Sequence, residues 1–185
     1  MVVVSAARYE AEPLLAAFPG WQYIEFGVGV FAASVAAVEN RHHLDGQDIL
    51  YVGSCGGFKP FTGIEVVRGE SIAWLPTCER MSASYTVADT PVLAMPCRPE
   101  FRSVAGCRVI CAPNISKRLT HQDEHQVENI EAYAFFHPIH PHIRSAQILL
   151  AITNQVGEHA HQQWQANYSQ AAEQIQDVVK KLSIH

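Results

Sequence analysis

The sequence predicts an α/β fold, a central mixed β-sheet with helices on both faces in three α/β/α layers. Two observations predict it. Short apolar runs rich in β-branched residues alternate with helical patterns from one end of the chain to the other. The chain has 185 residues and is 48% hydrophobic, enough for one domain over residues 1–185 with a sizeable core. Pro and Gly are scattered, so no linker divides it.

Each element follows from its own pattern. Residues 2–6 form a β-branched run and read as a buried strand. Residues 12–18 read as a helix, with Pro13 in the first turn and Pro19-Gly20 as its stop. Residues 21–26 are a second strand, Gly27-Val28-Gly29 a tight turn, and the Ala-rich residues 30–38 a helix. Residues 49–52 are a third strand, ending in the loop Gly53-Ser54-Cys55-Gly56-Gly57. Further strands are predicted at 65–68, 71–74, 92–95, 108–111 and 148–153. Residues 135–142 hold two His-Pro steps and read as a loop, because a residue before proline avoids the α region. The last helix is predicted over 161–182, where Trp164, Tyr168, Ala171, Ile175, Val178 and Leu182 make one core-facing stripe. Lys180-Lys181 then sit favourably against its dipole.

Composition excludes several classes. A net charge of -5 argues against non-specific nucleic-acid binding, which needs a basic face. No apolar run is long enough to span a membrane, and the N-terminus lacks the basic region of a signal peptide. A cytoplasmic location is the expectation. The five cysteines are odd in number and form no CxxC pair, which suits free thiols in a reducing compartment and excludes zinc-finger spacing.

Four segments carry candidate chemistry. Glu10 follows the first strand, where a parallel sheet places its ligand crevice, and a carboxylate there can act as a general base toward water. Glu12 is the alternative in the same segment. Gly53, Ser54, Cys55 and Gly56 follow a buried strand, and glycines let backbone N–H groups approach an anion or a sugar closely. Val127-Glu128-Asn129-Ile130-Glu131-Ala132 reads as helical, with Glu131 beside the apolar face and able to accept two ribose hydroxyls. Asn154 ends an apolar strand, where its amide can read a base edge. Each segment also has a plain structural reading as a turn, a cap or a helix-surface acid.

Taken in order, these segments resemble the purine nucleoside phosphorylase and nucleosidase superfamily, and within it the futalosine hydrolases. The Glu10 segment with Pro13-Leu14-Leu15 is similar to the family's N-terminal strand, acid and Pro-Leu-Leu. Gly27-Val28-Gly29 resembles its Gly-Val-Gly turn, and Val52-Gly53-Ser54-Cys55-Gly56 its phosphate-side loop. Val127-Glu128-Asn129-Ile130-Glu131 resembles the futalosine hydrolase Val-Glu-Asn-Met-Glu segment, and Ile152-Thr153-Asn154 with Val156 and Trp164 resembles its ending. The resemblance implies Glu10, Glu131 and Asn154 as catalytic residues. It implies Gly53, Ser54, Cys55, Gly56, Asn129 and Ile130 as substrate-binding residues, a nucleoside substrate, no cofactor or metal, and a homodimer.

Tyr51 stands where phosphorylases with this Gly-Ser-Cys-Gly loop carry arginine, which favours water over phosphate as the nucleophile. The stretch 75–102 is short for the family, and Tyr133, Phe135 and Phe136 stand where small residues are usual. A phosphorylase and a nucleoside-binding protein without catalysis are therefore alternatives. A third is a zinc hydrolase on His121-Gln122-Asp123-Glu124-His125, which fits an H-x-x-E-H pattern but has no evident third ligand.

Overall fold

The computed structural model describes residues 1–74, 92–95, 98–112 and 126–182. In chain order these form β1 (Val2–Ser5), α1 (Arg8–Ala17), β2 (Gln22–Glu25), α2 (Val30–Glu39), α3 (Arg41–Leu44) and β3 (Asp48–Gly57). Then come β4 (Glu65–Trp74), β5 (Leu93–Ala94), a 3-10 turn at Pro99–Ser103, β6 (Gly106–Cys111), β7 (Gln126–Asn129), α4 (Ala132–Phe136), β8 (Ser145–Gln155) and α5 (Ala160–Lys181).

The three layers follow from side-chain alternation along the strands. Val2, Val4, Ile49, Tyr51, Ile148 and Leu150 face one way and pack with Phe26, Phe135 and Phe136 around α2 and α4. Val3, Leu50, Val52, Leu149 and Ala151 face the other way and pack with α1 and α5 through Leu14, Ala171, Ile175 and Val179. Both faces are apolar because both are covered, so these strands read as continuous runs rather than as alternating ones.

β3 organises the sheet. One edge pairs parallel with β8 along its whole length. The other edge pairs parallel with β1 from Ile49 to Tyr51, then antiparallel with β7 at Gly56 and Gly57. Between these two partners lies a gap beside residues 52–55. β8 also pairs antiparallel with β4, β4 parallel with β6, and β6 parallel with β7, so five strands close on themselves while β1 and β2 extend outward. A ligand crevice in such a sheet falls where neighbouring connections diverge, and here that is the gap beside β3.

Four sequence expectations are corrected. Gly53 to Gly57 are the second half of β3, not a loop, because β7 and β8 flank them. The segment before Glu131 is strand β7, not helix, and only from Ala132 does a five-residue helix begin. Phe135 and Phe136 belong to that helix and are fully buried, whereas the sequence placed them in a loop. In the second and third cases tertiary pairing and burial override a local pattern that suits more than one state. The predicted strands at 65–68 and 71–74 are one strand, β4, with a register shift between Gly69 and Ser71 where it pairs with β6. His121 to His125 lie outside the described residues.

Candidate active site

The gap beside β3 opens into a cavity of about 280 Å³. All nine residues singled out from the sequence line it: Glu10, Gly53, Ser54, Cys55, Gly56, Asn129, Ile130, Glu131 and Asn154. Glu12, the alternative in the same segment, is exposed and stands outside the lining, whereas Glu10 is part of it.

Ser54 is the centre of the arrangement. With no strand beside it on this edge, its backbone groups are satisfied by side chains. Its N–H donates to Glu10 Oε1 at 3.1 Å, and its carbonyl accepts from Asn129 Nδ2 at 3.1 Å. Its hydroxyl donates to the same Glu10 oxygen at 3.2 Å and accepts from the Trp164 indole N–H at 3.1 Å. One residue thus ties α1, β7 and α5 to the edge of β3.

Glu10 is the third residue of α1, and its carboxylate also accepts the Ala7 N–H at 3.4 Å, back across the helix start. Burial pushes its carboxyl up to about 7, the nearby Glu131 charge adds to this, and the Ser54 and Ala7 N–H groups oppose it. A carboxyl with that affinity is poised to exchange a proton near neutrality.

Glu131 caps the short helix α4, and its Oε1 accepts the Gly29 N–H at 2.9 Å. Gly29 holds φ at +95°, a conformation few side-chain-bearing residues adopt, so the turn before α2 needs glycine to aim this N–H. Burial pushes the Glu131 carboxyl up as well, against the hydrogen bonds that favour its charge. Asn129 is a brace. Its Oδ1 accepts the Tyr51 hydroxyl at 3.1 Å and the N–H groups of Glu131 and Ala132 at 3.0 and 2.8 Å.

Asn154 lies near the end of β8. The Thr153 hydroxyl donates to its Oδ1 at 2.9 Å, and its Nδ2 donates to the Gln155 carbonyl at 3.3 Å. That leaves one amide hydrogen uncommitted. A Cβ built on Gly56 would lie 2.9 Å from Asn154 Nδ2 and from Val156 Cγ2, so the amide needs the glycine beneath it.

Several lining residues carry signals that sequence reasoning missed. Tyr9, Tyr51, Glu128, His161 and Trp164 also line the cavity. The stripe on the last helix is core-facing only in its C-terminal half, where Ala171, Ile175 and Val179 are buried. Its first turns instead stack His161, Trp164 and Tyr168, with ring centroids 5.6 and 5.5 Å apart, beside the cavity. The clustering of aromatics at one end of that stripe was the available signal. Tyr133, Phe135 and Phe136 stand outside the lining, and Phe135 and Phe136 pack against the ring of Tyr51, which lines it.

The cavity is acidic. Glu10, Glu128 and Glu131 line it, and among the described residues no Lys or Arg does. Among the described residues no group of three or more His, Cys, Asp or Glu is arranged to hold a metal ion. Cys55 is buried, and burial holds its thiol far above the range in which a thiolate nucleophile forms at neutral pH. Among the described residues no helix is long and apolar enough to cross a membrane.

No family model matches the chain, and no curated protein matches it in sequence. Solved structures match it in fold. An Asp-to-Asn variant of Helicobacter pylori 5′-methylthioadenosine/S-adenosylhomocysteine nucleosidase, with 5′-methylthioadenosine in its active site, superposes with a TM-score of 0.75 at 10% identity, covering 98% of this chain and 96% of that one. Futalosine hydrolase of Helicobacter pylori gives 0.74 at 10% identity over 98% and 96%. The methylthioadenosine/S-adenosylhomocysteine nucleosidase of Neisseria meningitidis gives 0.71 at 16% identity over 98% and 97%. The chain shares its three-layer α/β/α fold with these nucleosidases.

Proposed function

We propose that this cavity hydrolyses the N-glycosidic bond of a purine nucleoside with a 6-oxopurine-like base, futalosine or a related 5′-modified nucleoside being the natural candidates. One observation carries the reading. Two desolvated carboxylates, Glu10 and Glu131, share a cavity whose described lining holds no Lys or Arg. A phosphate co-substrate needs fixed positive charge, whereas water needs only a base. The nucleosidase structures that share the fold support the same chemistry.

In this mechanism Glu10 takes a proton from water as the water oxygen bonds to the anomeric carbon. The bond from that carbon to the base breaks, and its electron pair leaves with the base. Glu131 accepts the ribose hydroxyls and stabilises the positive charge that develops on the sugar. The Glu131 charge adds to the cost of ionising Glu10, and that cost is recovered when the cationic sugar forms between them.

Asn154 supports the leaving base. Thr153 holds its Oδ1 and turns Nδ2 toward Gly56, so the cavity is offered an amide hydrogen. The N7 and O6 of a 6-oxopurine are both acceptors and suit it. The 6-amino group of adenine is a donor and does not.

The proposal extends to a homodimer. Val28, Phe31, Val35 and Val38 are exposed at the start of and along α2, Phe31 at 89%, and Val28 also lines the cavity. A second copy laid on this face would cover an apolar stripe and close the cavity beside Val28.

The purified protein incubated with inosine, guanosine, adenosine, methylthioadenosine and futalosine should release base without phosphate. Glu10→Gln should slow release roughly 10²–10⁴-fold. Release that strictly requires phosphate would make the protein a phosphorylase, and binding without release would make it a binding protein. Asn154→Asp should raise the adenosine-to-inosine ratio of kcat/KM at least about tenfold, because a carboxylic acid can donate a full proton to N7. An unchanged ratio would remove Asn154 from base recognition. Phe31→Glu should convert a dimer to a monomer in sedimentation velocity, and a native protein that sediments as a monomer at micromolar concentration would contradict the interface.

A further inference from the structure

Trp164 stands near the start of α5 and is held from several sides. Its helix neighbours tie α5 to β8: Gln163 Oε1 accepts the Gln155 N–H at 2.8 Å, and Asn167 Nδ2 donates to the Thr153 carbonyl at 2.8 Å. The rings of His161 and Tyr168 stack on its indole. The indole N–H is thereby aimed at Ser54 Oγ, 3.1 Å away. An indole N–H donates and never accepts. Ser54 Oγ is therefore the acceptor of that bond, and its single hydrogen is left for Glu10 Oε1, 3.2 Å away. The Ser54 N–H donates to the same carboxylate oxygen at 3.1 Å. Glu10 Oε2 accepts the Ala7 N–H at 3.4 Å, a longer and weaker bond. The two oxygens of Glu10 are thus unequal, and the inequality begins at Trp164.

We infer that Trp164 is a positioning residue for Glu10: its N–H turns the Ser54 hydroxyl onto Oε1 and so leaves Oε2 as the atom that takes the proton from water. The inference rests on the hydrolase reading of the same cavity and deepens it to the direction of proton transfer. Two donors on Oε1 satisfy that oxygen and make Oε2 the more basic of the pair. A water O–H bond breaks as the bond from hydrogen to Oε2 forms, and the water oxygen bonds to the anomeric carbon. Hydrogen bonds in a chain polarise one another, so the indole strengthens a contact in which it takes no direct part. The Ser54 hydroxyl favours the ionised form of Glu10, against the burial that pushes its carboxyl up to about 7. The other titratable groups around Glu10 are Glu128 and Glu131 across the cavity, Tyr51 on β3, Tyr23 on β2, Tyr9 on its own helix and His161 on α5.

The test follows the Glu10 carboxyl by carbon-13 NMR from pH 4 to pH 9, with its signal assigned by Glu10→Gln, in the native protein, Trp164→Phe, Ser54→Ala and the double variant. None of these three variants alters the other titratable groups. Ser54→Ala should raise the Glu10 midpoint by roughly half to one pH unit, because a donor to the carboxylate is lost. Trp164→Phe, which keeps a ring and loses the donor, should raise it by part of that amount. The double variant should match Ser54→Ala, because Trp164 acts through Ser54. The acid limb of kcat/KM with the best nucleoside should move to higher pH in the same order. In the native protein the Trp164 indole N–H resonance should move with the Glu10 midpoint, and in Ser54→Ala it should no longer do so. That resonance decides the matter if thermal unfolding shows Trp164→Phe to be unfolded. An unchanged midpoint in Trp164→Phe, shifts that add in the double variant, or an indole resonance indifferent to Glu10 would overturn the role of Trp164 and leave the hydrolase reading standing. The expected midpoints without base release from any nucleoside would sink the hydrolase reading and still uphold the orientation of Glu10 by Trp164.

Discussion

The N–H and C=O of Ser54 point into a gap in the sheet, and two side chains fill the place of a strand there. β1 has left the edge of β3 by this point and β7 has not yet joined it. A buried backbone group without a partner costs on the order of 1–3 kcal/mol, so the gap is tolerable only because Glu10 accepts the N–H and Asn129 donates to the carbonyl. The requirement to satisfy one residue's backbone thus fixes a carboxylate at the crevice. It also fixes the amide that, through Tyr51 and the N–H groups of Glu131 and Ala132, sets the start of α4. Glu131 is held where it is because Asn129 is.

Charge follows from the same geometry. A carboxylate that completes a sheet edge cannot also be fully hydrated, and burial raises its proton affinity. The second acid, Glu131, is tethered from another direction by the Gly29 N–H, which requires the left-handed backbone of that glycine. Two acids brought together by separate parts of the chain, with no described cation lining the cavity, form a site suited to a substrate that becomes positive as it reacts. The acidity carries the functional reading, and the strand gap is its structural cause.

Much of this was legible in the sequence, for identifiable reasons. β-Branched runs located β1, β3 and β8 because buried strands need little more than that pattern, and the last helix showed itself through a stripe of several turns. The nine candidate residues were picked out from short motifs, and they line one cavity. Glu128 was not legible. Four residues, Gln126–Asn129, are too few for periodicity to separate strand from helix, and β7 is a strand only because β3 and β6 flank it. Reading the segment as helix hid the alternation that turns Asn129 and Glu128 to opposite faces of β7. Trp164 reads from its spacing as part of a core-facing stripe, since a helix stripe does not announce where it leaves the core and reaches a cavity.

The most direct test of the account is the stability difference between the native protein and Glu10→Gln, measured by chemical denaturation from pH 4 to pH 8. Burial raises the Glu10 carboxyl from 4.5 to about 7, so between those values the folded state holds a proton that the unfolded state has released. The native protein should therefore lose stability relative to the variant as pH rises through that window, by about 3 kcal/mol in total. The loss should level off above about pH 7. A difference that stays flat from pH 4.5 upward would mean that Glu10 titrates as an ordinary exposed acid, and the desolvated pair on which the account depends would not exist.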